Sequence, residues 1–420
     1  MFKTENLIKV FYNYFWIVII SAIVEIAFGK GYIISIIFPL LLFLLAYKSG
    51  RGRKSFIDIL FFLILFSMVI SWIINSYSNK TALVFRCIMA EGSYMSAYFI
   101  GKKLKGECLH GVFEKALIPL AICCVLSIYF FFNPPGWYLA QLYNSEMFWG
   151  NDLSLELLRL RSIFSSPYVM AYMCGMTSLY LLFKIFQENN GNLKIYALLG
   201  LYIITMMFCM MRAPLGCVFV SLMIFLFYYC RYKGSIKIFF ITLISFVFVA
   251  WIAKFALQSV NVDVLDFIIS KFESATTGRS DLISERVSMW NYSYHILGDG
   301  AGRHAILADN YNVGTSIRDS EYVKILVEQG YLGLSLYIAL ISICIIKCIV
   351  YFKELPLELC LVIFFAITMI GANPLSTADK HCFIFWLTVG RIAAFKPINS
   401  ASKIKTYFTL RRNNNNMWIR

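Results

Sequence analysis

Residues 56–75 read FIDILFFLILFSMVISWIIN, a run in which Asp58 is the only charged side chain. At about 1.5 Å of rise per residue, such a helix crosses the ~30 Å hydrocarbon core of a bilayer. Comparable runs recur along almost the whole chain. Working outward from 56–75, candidate spans fall at 10–28, 31–47, 56–75, 81–100, 114–132, 164–184, 193–211, 213–230, 236–257, 322–347, 357–373 and 381–395. Alternating barrel strands would not give unbroken apolar runs, so helices are the expected spanners. The expected fold is an all-α integral membrane protein, a polytopic bundle of about 12 transmembrane helices read from these runs.

Composition agrees. The 420 residues are 60% hydrophobic, 17% aromatic and 15% charged, far more apolar than a soluble domain. A net charge of +15 would point to nucleic acid in a soluble protein, but here most Lys and Arg fall in short connectors between spans. Membrane topology explains that excess, and no nucleic-acid partner is expected. Of the twelve cysteines, Cys87, Cys123, Cys124, Cys174, Cys209, Cys217, Cys344 and Cys348 sit in or beside apolar spans, and no C-x-x-C pair occurs. Neither a disulfide framework nor a zinc site is expected.

The basic residues also orient the chain. Met1 to Val10 carries Lys3 and Lys9 and runs into an apolar stretch without a small-residue cleavage signature, so it reads as a retained first helix. From a cytoplasmic start, the inside connectors hold Lys48, Arg51, Arg53 and Lys54, then Lys102, Lys103 and Lys105, then Lys184 and Lys194. Arg231, Lys233 and Lys237 come next, followed by Lys347 and Lys353, and the tail adds Lys396, Lys403, Lys405, Arg411 and Arg412. Every inside segment is then basic, as the positive-inside rule requires, and both termini are expected in the cytoplasm.

On the opposite face two connectors are long, 133–163 and 258–321. Long loops on a bundle are usually functional. In the second, Ile283, Val287, Trp290, Tyr294 and Leu297 recur at spacings of four and three, an apolar stripe on a helix near 281–297 that ends at Gly298. No internal repeat is visible, so residues 1–420 read as a single transmembrane bundle carrying two external loops.

The anomaly is arginine on the outside. Arg159 and Arg161 close the first long loop, Arg212 sits in a tight turn between spans, and Arg279, Arg286, Arg303 and Arg318 lie in the second loop. Lysine suffices for topology as a point charge, whereas guanidinium offers a planar fork of donors suited to phosphate oxygens. Arg212 has two readings: an arginine snorkelling to headgroup level, or a ligand for an anionic substrate. Asp319 reads either as a general base or as the N-cap of the helix that follows it, with Glu321 in reserve as base. The Gly298–Gly302 segment reads as a helix stop or as a backbone cradle for phosphate. His295 and His304 read as surface or packing residues and not metal ligands, and no metal site is expected. Glu25, Arg86 and Glu91 fall inside spans, where Glu25 and Arg86 read as an ion pair or as lining of a lipid groove.

Several of these elements are familiar together. Arg161-Ser-Ile-Phe-Ser-Ser-Pro-Tyr168 before a span resembles the Arg-x-x-Gly/Phe-x-x-Pro-Asn element of the O-antigen polymerase and O-antigen ligase superfamily, and Met211-Arg212-Ala213 resembles its Ser-Arg-small turn. Thr277-Gly278-Arg279 with Trp290, Gly298-Asp299-Gly300-Ala301-Gly302, and Asp319-Ser320-Glu321-Tyr322 through Glu328-Gln329-Gly330-Tyr331-Leu332-Gly333 match further pieces in order and sidedness. The match covers roughly 159–335. Asp319 stands where ligases of the family carry histidine, which favours a polymerase; Tyr168 and Met211 also depart from the usual Asn and Ser.

The resemblance implies a GT-C-like bundle with a periplasmic active face in a bacterial inner membrane. It implies polymerisation of undecaprenyl-pyrophosphate-linked oligosaccharide repeats into O-antigen or a similar surface polysaccharide, without cofactor, nucleotide sugar or metal. Further partners implied are membrane lipid, a chain-length regulator and a flippase. Against that reaction, Asp319, Arg212, Arg279 and Glu321 are the candidate catalytic residues, and Arg161, Arg159, Arg286, Arg303 and Arg318 the candidate ligands for pyrophosphate and glycan. The alternatives are a ligase moving finished polymer onto lipid A core, and a polysaccharide or lipid transporter. A transporter is expected to show paired repeats, broken helices and charge near the midplane, whereas this charge gathers at one rim.

Overall fold

The computed structural model describes residues 13, 15–16, 18–20, 55–75, 88, 92–103, 108–136, 160, 167–187, 192–209, 212–233, 295–305, 308, 316–317, 320–375 and 381–396. Among the described residues the protein is helical, with turns and no strands. The helices are α1 (Phe56–Ile74), α2 (Ala97–Lys103, entered through a 3-10 turn at Ser93–Ser96), α3 (Cys108–Phe132), α4 (Pro167–Gln187) and α5 (Leu193–Phe208). They continue with α6 (Arg212–Lys233), α7 (Glu321–Val350), α8 (Pro356–Gly371) and α9 (Cys382–Ala394). Five contain stretches long and apolar enough to cross a membrane, and α5, α8 and α9 are shorter apolar helices. The expected spans 10–28, 31–47 and 236–257 fall outside the described residues but for a few positions near Phe15, as do Glu25, Arg86, Glu91 and most of both long loops.

The helices are apolar all round, and what separates their faces is contact and not polarity. On α1, Phe62, Phe66, Val69 and Ile73 are exposed, while Ile57, Phe61, Ile64, Ser67, Met68 and Ser71 are buried. The polar residues Ser67 and Ser71 point into the protein, as expected where the surrounding solvent is hydrocarbon. α8 and α9 are buried along most of their length, and α9 lies at the centre with Phe383, Phe385 and Trp386 fully enclosed. α2 crosses α9 so closely that a Cβ on Gly390 would stand 2.0 Å from the Tyr98 carbonyl oxygen, and one on Gly101 2.1 Å from that of Leu387.

Charges inside this bundle are paired near helix ends. Asp58 completes the capping box of α1, accepting the Ser55 N–H at 2.5 Å, and also accepts from the Tyr98 hydroxyl and from Lys102 Nζ at 2.6 Å. Phe61 stacks on Tyr98 with ring centroids 4.0 Å apart. At the same end Lys347 Nζ donates to the Ile392 carbonyl at 2.7 Å, Arg391 Nε lies 3.7 Å from Glu358, and Lys184 pairs with Glu114 at 2.9 Å. An unpaired charge at bilayer depth costs several kcal/mol, so each partner holds the other in place.

One expected span is corrected. Residues 322–347 read as one continuous helix, but α7 breaks at Gly330, whose φ of 64° and ψ of −164° no helix contains. The sequence on either side explains the division. Before the break, EYVKILVEQ holds three charges and a glutamine; after it, Tyr331–Val350 holds Lys347 alone and is long enough to span the core by itself. The polar half is a separate element at the rim.

Candidate functional site

That polar half-helix starts at Ser320, which has extended backbone and accepts the Val323 N–H on its hydroxyl at 3.4 Å. Ser320, not Asp319, is therefore the N-cap, and the hydroxyl also donates to the Met369 carbonyl of α8 at 3.2 Å. Glu321 is fastened twice more: its backbone N–H donates to Ala372 at 3.0 Å, and its carboxylate accepts the Leu375 N–H at 3.2 Å. Lys324 Nζ stands 3.7 Å from the same carboxylate, and Glu321, Lys324, Glu328 and Gln329 are all buried. Between them, Met95, Tyr337 and Trp386 lies a cavity of about 20 Å³, room for roughly one water.

The turn that holds the glycine-rich segment is bound to α7 on both sides of the break. Asp299 and Gly300 donate from their backbone to the carbonyls of Val327 and Glu328 at 2.8 and 3.2 Å, and Tyr331 and Leu332 donate to those of His295 and Ile296 at 3.0 and 3.2 Å. The break at Gly330 frees these carbonyls and amides from the helical ladder, and the turn takes them up. Glycine is required on both sides. A Cβ on Gly298, at φ 74°, would lie 2.3 Å from the Glu328 carbonyl carbon, and one on Gly330 2.4 Å from the backbone of Ile296. Gly298–Gly302 is thus a docking element for α7.

α1 supplies a clamp. Ser71 Oγ donates to the Glu328 carbonyl at 2.6 Å and accepts the Ala301 N–H at 3.1 Å, so one hydroxyl joins turn and half-helix. Ser67 reaches Gln329 Oε1 at 3.1 Å, and Asn75 Nδ2 reaches the Gly298 carbonyl at 3.3 Å. Glu328 accepts the His304 N–H at 2.7 Å. His304 is not a surface residue: it is buried, and its Nε2 lies 3.1 Å from Asp299 Oδ2, while Arg303 Nη1 donates to Asp299 Oδ1 at 2.8 Å. The His304 hydrogen bond, with Arg303 beside it, holds the Asp299 carboxyl below the usual carboxylate range against the opposing effect of burial. Arg303 is about one-third exposed, leaving part of its side chain uncovered.

Two further backbone positions bear on the sequence candidates. Leu160, between Arg159 and Arg161 in the chain, is buried and donates its N–H to the Phe208 carbonyl at 3.0 Å, four residues ahead of Arg212. Arg212 is the first residue of α6. One turn and a half further on, the Thr368 hydroxyl of α8 lies 3.3 Å from Cys217 of α6, next to the Met369 that Ser320 holds. Leu160 is thus tied to the residue four ahead of α6, and α6 and the start of α7 both reach the C-terminal part of α8. Lys102, Lys184, Lys347 and Arg391 lie at the opposite end of their helices.

No family model and no curated protein matches this chain.

Of the sequence candidates, Glu321 and Arg303 are placed with their side chains, and Arg212 by its backbone. Arg159, Arg161, Arg279, Arg286, Arg318 and Asp319 lie outside the described residues, as does the expected 281–297 helix apart from its last residues, 295–297, which form a turn. Asp299 and Glu328 enter the sequence reading only inside quoted motifs, with no role, and Lys324, Ser67, Ser71 and Asn75 are not named in it. The last three carried a legible signal: they recur every four residues on one face of an otherwise apolar helix.

Proposed function

We propose that the chain is a polysaccharide polymerase acting at the periplasmic face of a bacterial inner membrane. It transfers a glycan from an undecaprenyl pyrophosphate carrier to a hydroxyl of a second lipid-linked repeat. The bond between the anomeric carbon and the pyrophosphate oxygen breaks, and the carrier pyrophosphate leaves with the electron pair. A new bond forms from the acceptor oxygen to that carbon, and the acceptor proton passes to Asp319. Arg212, Arg161 and Arg279 hold the leaving pyrophosphate as its charge develops, with Arg159, Arg286, Arg303 and Arg318 as further ligands.

One observation carries this reading. Leu160, the chain neighbour of Arg161, bonds to Phe208 just ahead of α6, and α6 at Cys217 and α7 at Ser320 both reach the C-terminal part of α8, at Thr368 and Met369. Donors for a pyrophosphate and a carboxylate for a hydroxyl proton must share a site within hydrogen-bond reach, and these backbone contacts support that reading. Glu321, the reserve base, is nearly enclosed and faces a cavity too small for a sugar, so the reading gives it the task of fixing the half-helix behind Asp319.

The experiment uses full-length protein in lipid vesicles with a polyprenyl-pyrophosphate-linked repeat unit. The expected product is a ladder of longer lipid-linked glycans with release of free carrier pyrophosphate, lowered by about 10²- to 10³-fold in Arg212→Ala. No lengthening by wild-type protein, alongside transfer onto a lipid A core acceptor, would replace the polymerase by a ligase.

A further inference from the structure

A second concavity lies at the opposite end of α7 from Glu321. Ile224, Phe227 and Tyr228 of α6, Ile345 and Ile349 of α7 and Ala366 of α8 are among the residues lining an apolar groove of about 580 Å³. Its walls end in charge. On α6, Ile224, Phe227 with Tyr228, and Arg231 follow one another at helical spacing, so exposed Arg231 continues the groove-lining face one turn further. On α7, Ile345 and Ile349 lead to exposed Lys353 in the turn beyond the helix, whose Nζ stands 5.8 Å from the centre of the Tyr232 ring. The Phe352 ring lies 5.7 Å from that of Tyr228, closing the walls together at the mouth. The adjoining carboxylate is Glu354, also exposed.

We propose that this groove binds one anionic phospholipid of the surrounding leaflet, with an acyl chain against Phe227, Ile345, Ile349 and Ala366 and the phosphate between Arg231 and Lys353. A groove between membrane-crossing helices meets hydrocarbon, and its volume lies inside the ~300–1,000 Å³ range of small-molecule sites. Apolar walls accept any lipid tail equally, so selectivity comes from the mouth. Arg231 and Lys353 outweigh Glu354, and the tyrosines beside them suit the headgroup boundary, where amphipathic rings gather. A zwitterionic lipid offers the same tails without the net charge that two cations attract. The proposal does not rest on the sugar-transfer reading, and its cations Arg231 and Lys353 are not among that reading's residues, although the Ala366 carbonyl accepts from the Tyr322 hydroxyl beside Glu321 at 3.0 Å.

The test is native mass spectrometry of the purified full-length protein in detergent, with phosphatidylglycerol, phosphatidylcholine of the same chains, or a polyprenyl monophosphate added. The expected result is a phosphatidylglycerol adduct at about tenfold lower lipid concentration than the phosphatidylcholine adduct. The double variant Arg231→Gln with Lys353→Gln should erase that preference, and Ala366→Phe, which fills the groove, should remove the adduct with both cations intact. Equal retention of the two phospholipids, a preference that survives the double variant, or an adduct unmoved by Ala366→Phe would overturn the proposal. So would polyprenyl phosphate displacing phosphatidylglycerol at equal concentration. If Ala366→Phe fails to fold, the double variant decides, because both of its side chains are exposed.

Discussion

Replacing Gly330 by alanine tests whether the break in α7 is what holds the outer turn. Its φ of 64° and ψ of −164° lie in a region open essentially to glycine alone, where another residue costs about 1–3 kcal/mol. The added Cβ would also stand 2.4 Å from the Ile296 carbonyl carbon and oxygen and 2.7 Å from the Gly298 nitrogen. All three are backbone atoms with no rotamer to yield, and such overpacking costs about 1–3 kcal/mol more. The sum, roughly 2–6 kcal/mol, rivals the four backbone hydrogen bonds joining the turn to α7 around the break, at about 0.5–1.5 kcal/mol each. The expected outcome is release of the turn before the bundle unfolds. Limited trypsin digestion at Arg303 in detergent reads it directly, with thermal unfolding as a second measure. Gly216→Ala is the internal control: it sits in α6 with nothing within 4 Å of an added Cβ, and should be neutral or slightly stabilising. Gly330→Ala protein with Arg303 as protected as in the wild type would refute the reasoning.

Other substitutions probe other joints. Ser71→Ala removes a hydroxyl that serves the Glu328 carbonyl and the Ala301 N–H together, so it should cost about 1–3 kcal/mol in thermal unfolding, with partial recovery in Ser71→Thr. Gly390→Ala drives a Cβ into the Tyr98 carbonyl at the α2–α9 crossing and should lower the amount of folded protein in the membrane, read by size-exclusion chromatography in detergent. Asp299→Asn should loosen the outer turn at neutral pH, read by the same tryptic cut. Because the Asp299 carboxyl titrates lower folded than unfolded, its contribution is present above the usual carboxylate range and is lost as pH falls through the depressed folded value. The difference between wild type and Asp299→Asn should therefore be constant from neutral pH into mild acid and vanish only below that range.

The helices were legible because a bilayer demands length and apolarity, and 56–75, 114–132 and 213–230 need little beyond counting, whereas the 193–211 run gives only the shorter α5, Leu193–Phe208. The apolar character of α1 did not say which face points inward, since lipid and protein interior are equally greasy; the Ser67, Ser71, Asn75 repeat did carry that information. The break at Gly330 was harder to see, because apolar Tyr331–Val350 overwhelms the average of the whole stretch, although the charges of EYVKILVEQ mark the boundary. His304 reads as packing or surface in the sequence because no second histidine or carboxylate stands at ligand spacing on a predictable helix. Its bond to Asp299 depends on a turn whose shape comes from long-range contacts with Val327 and Glu328. The convergence of the Leu160 segment on Phe208 was likewise invisible, being a single backbone hydrogen bond across nearly fifty residues of chain.

The most direct test of the central claim is the surface polysaccharide ladder of a strain deleted for this protein and complemented with wild type, Arg212→Ala or Asp319→Ala at equal membrane levels. Polymerase activity predicts core bearing a single repeat unit in the deletion, a full ladder with wild type, and no ladder with either variant. Core carrying no repeat at all in the deletion, or a full ladder restored by both variants, would contradict it.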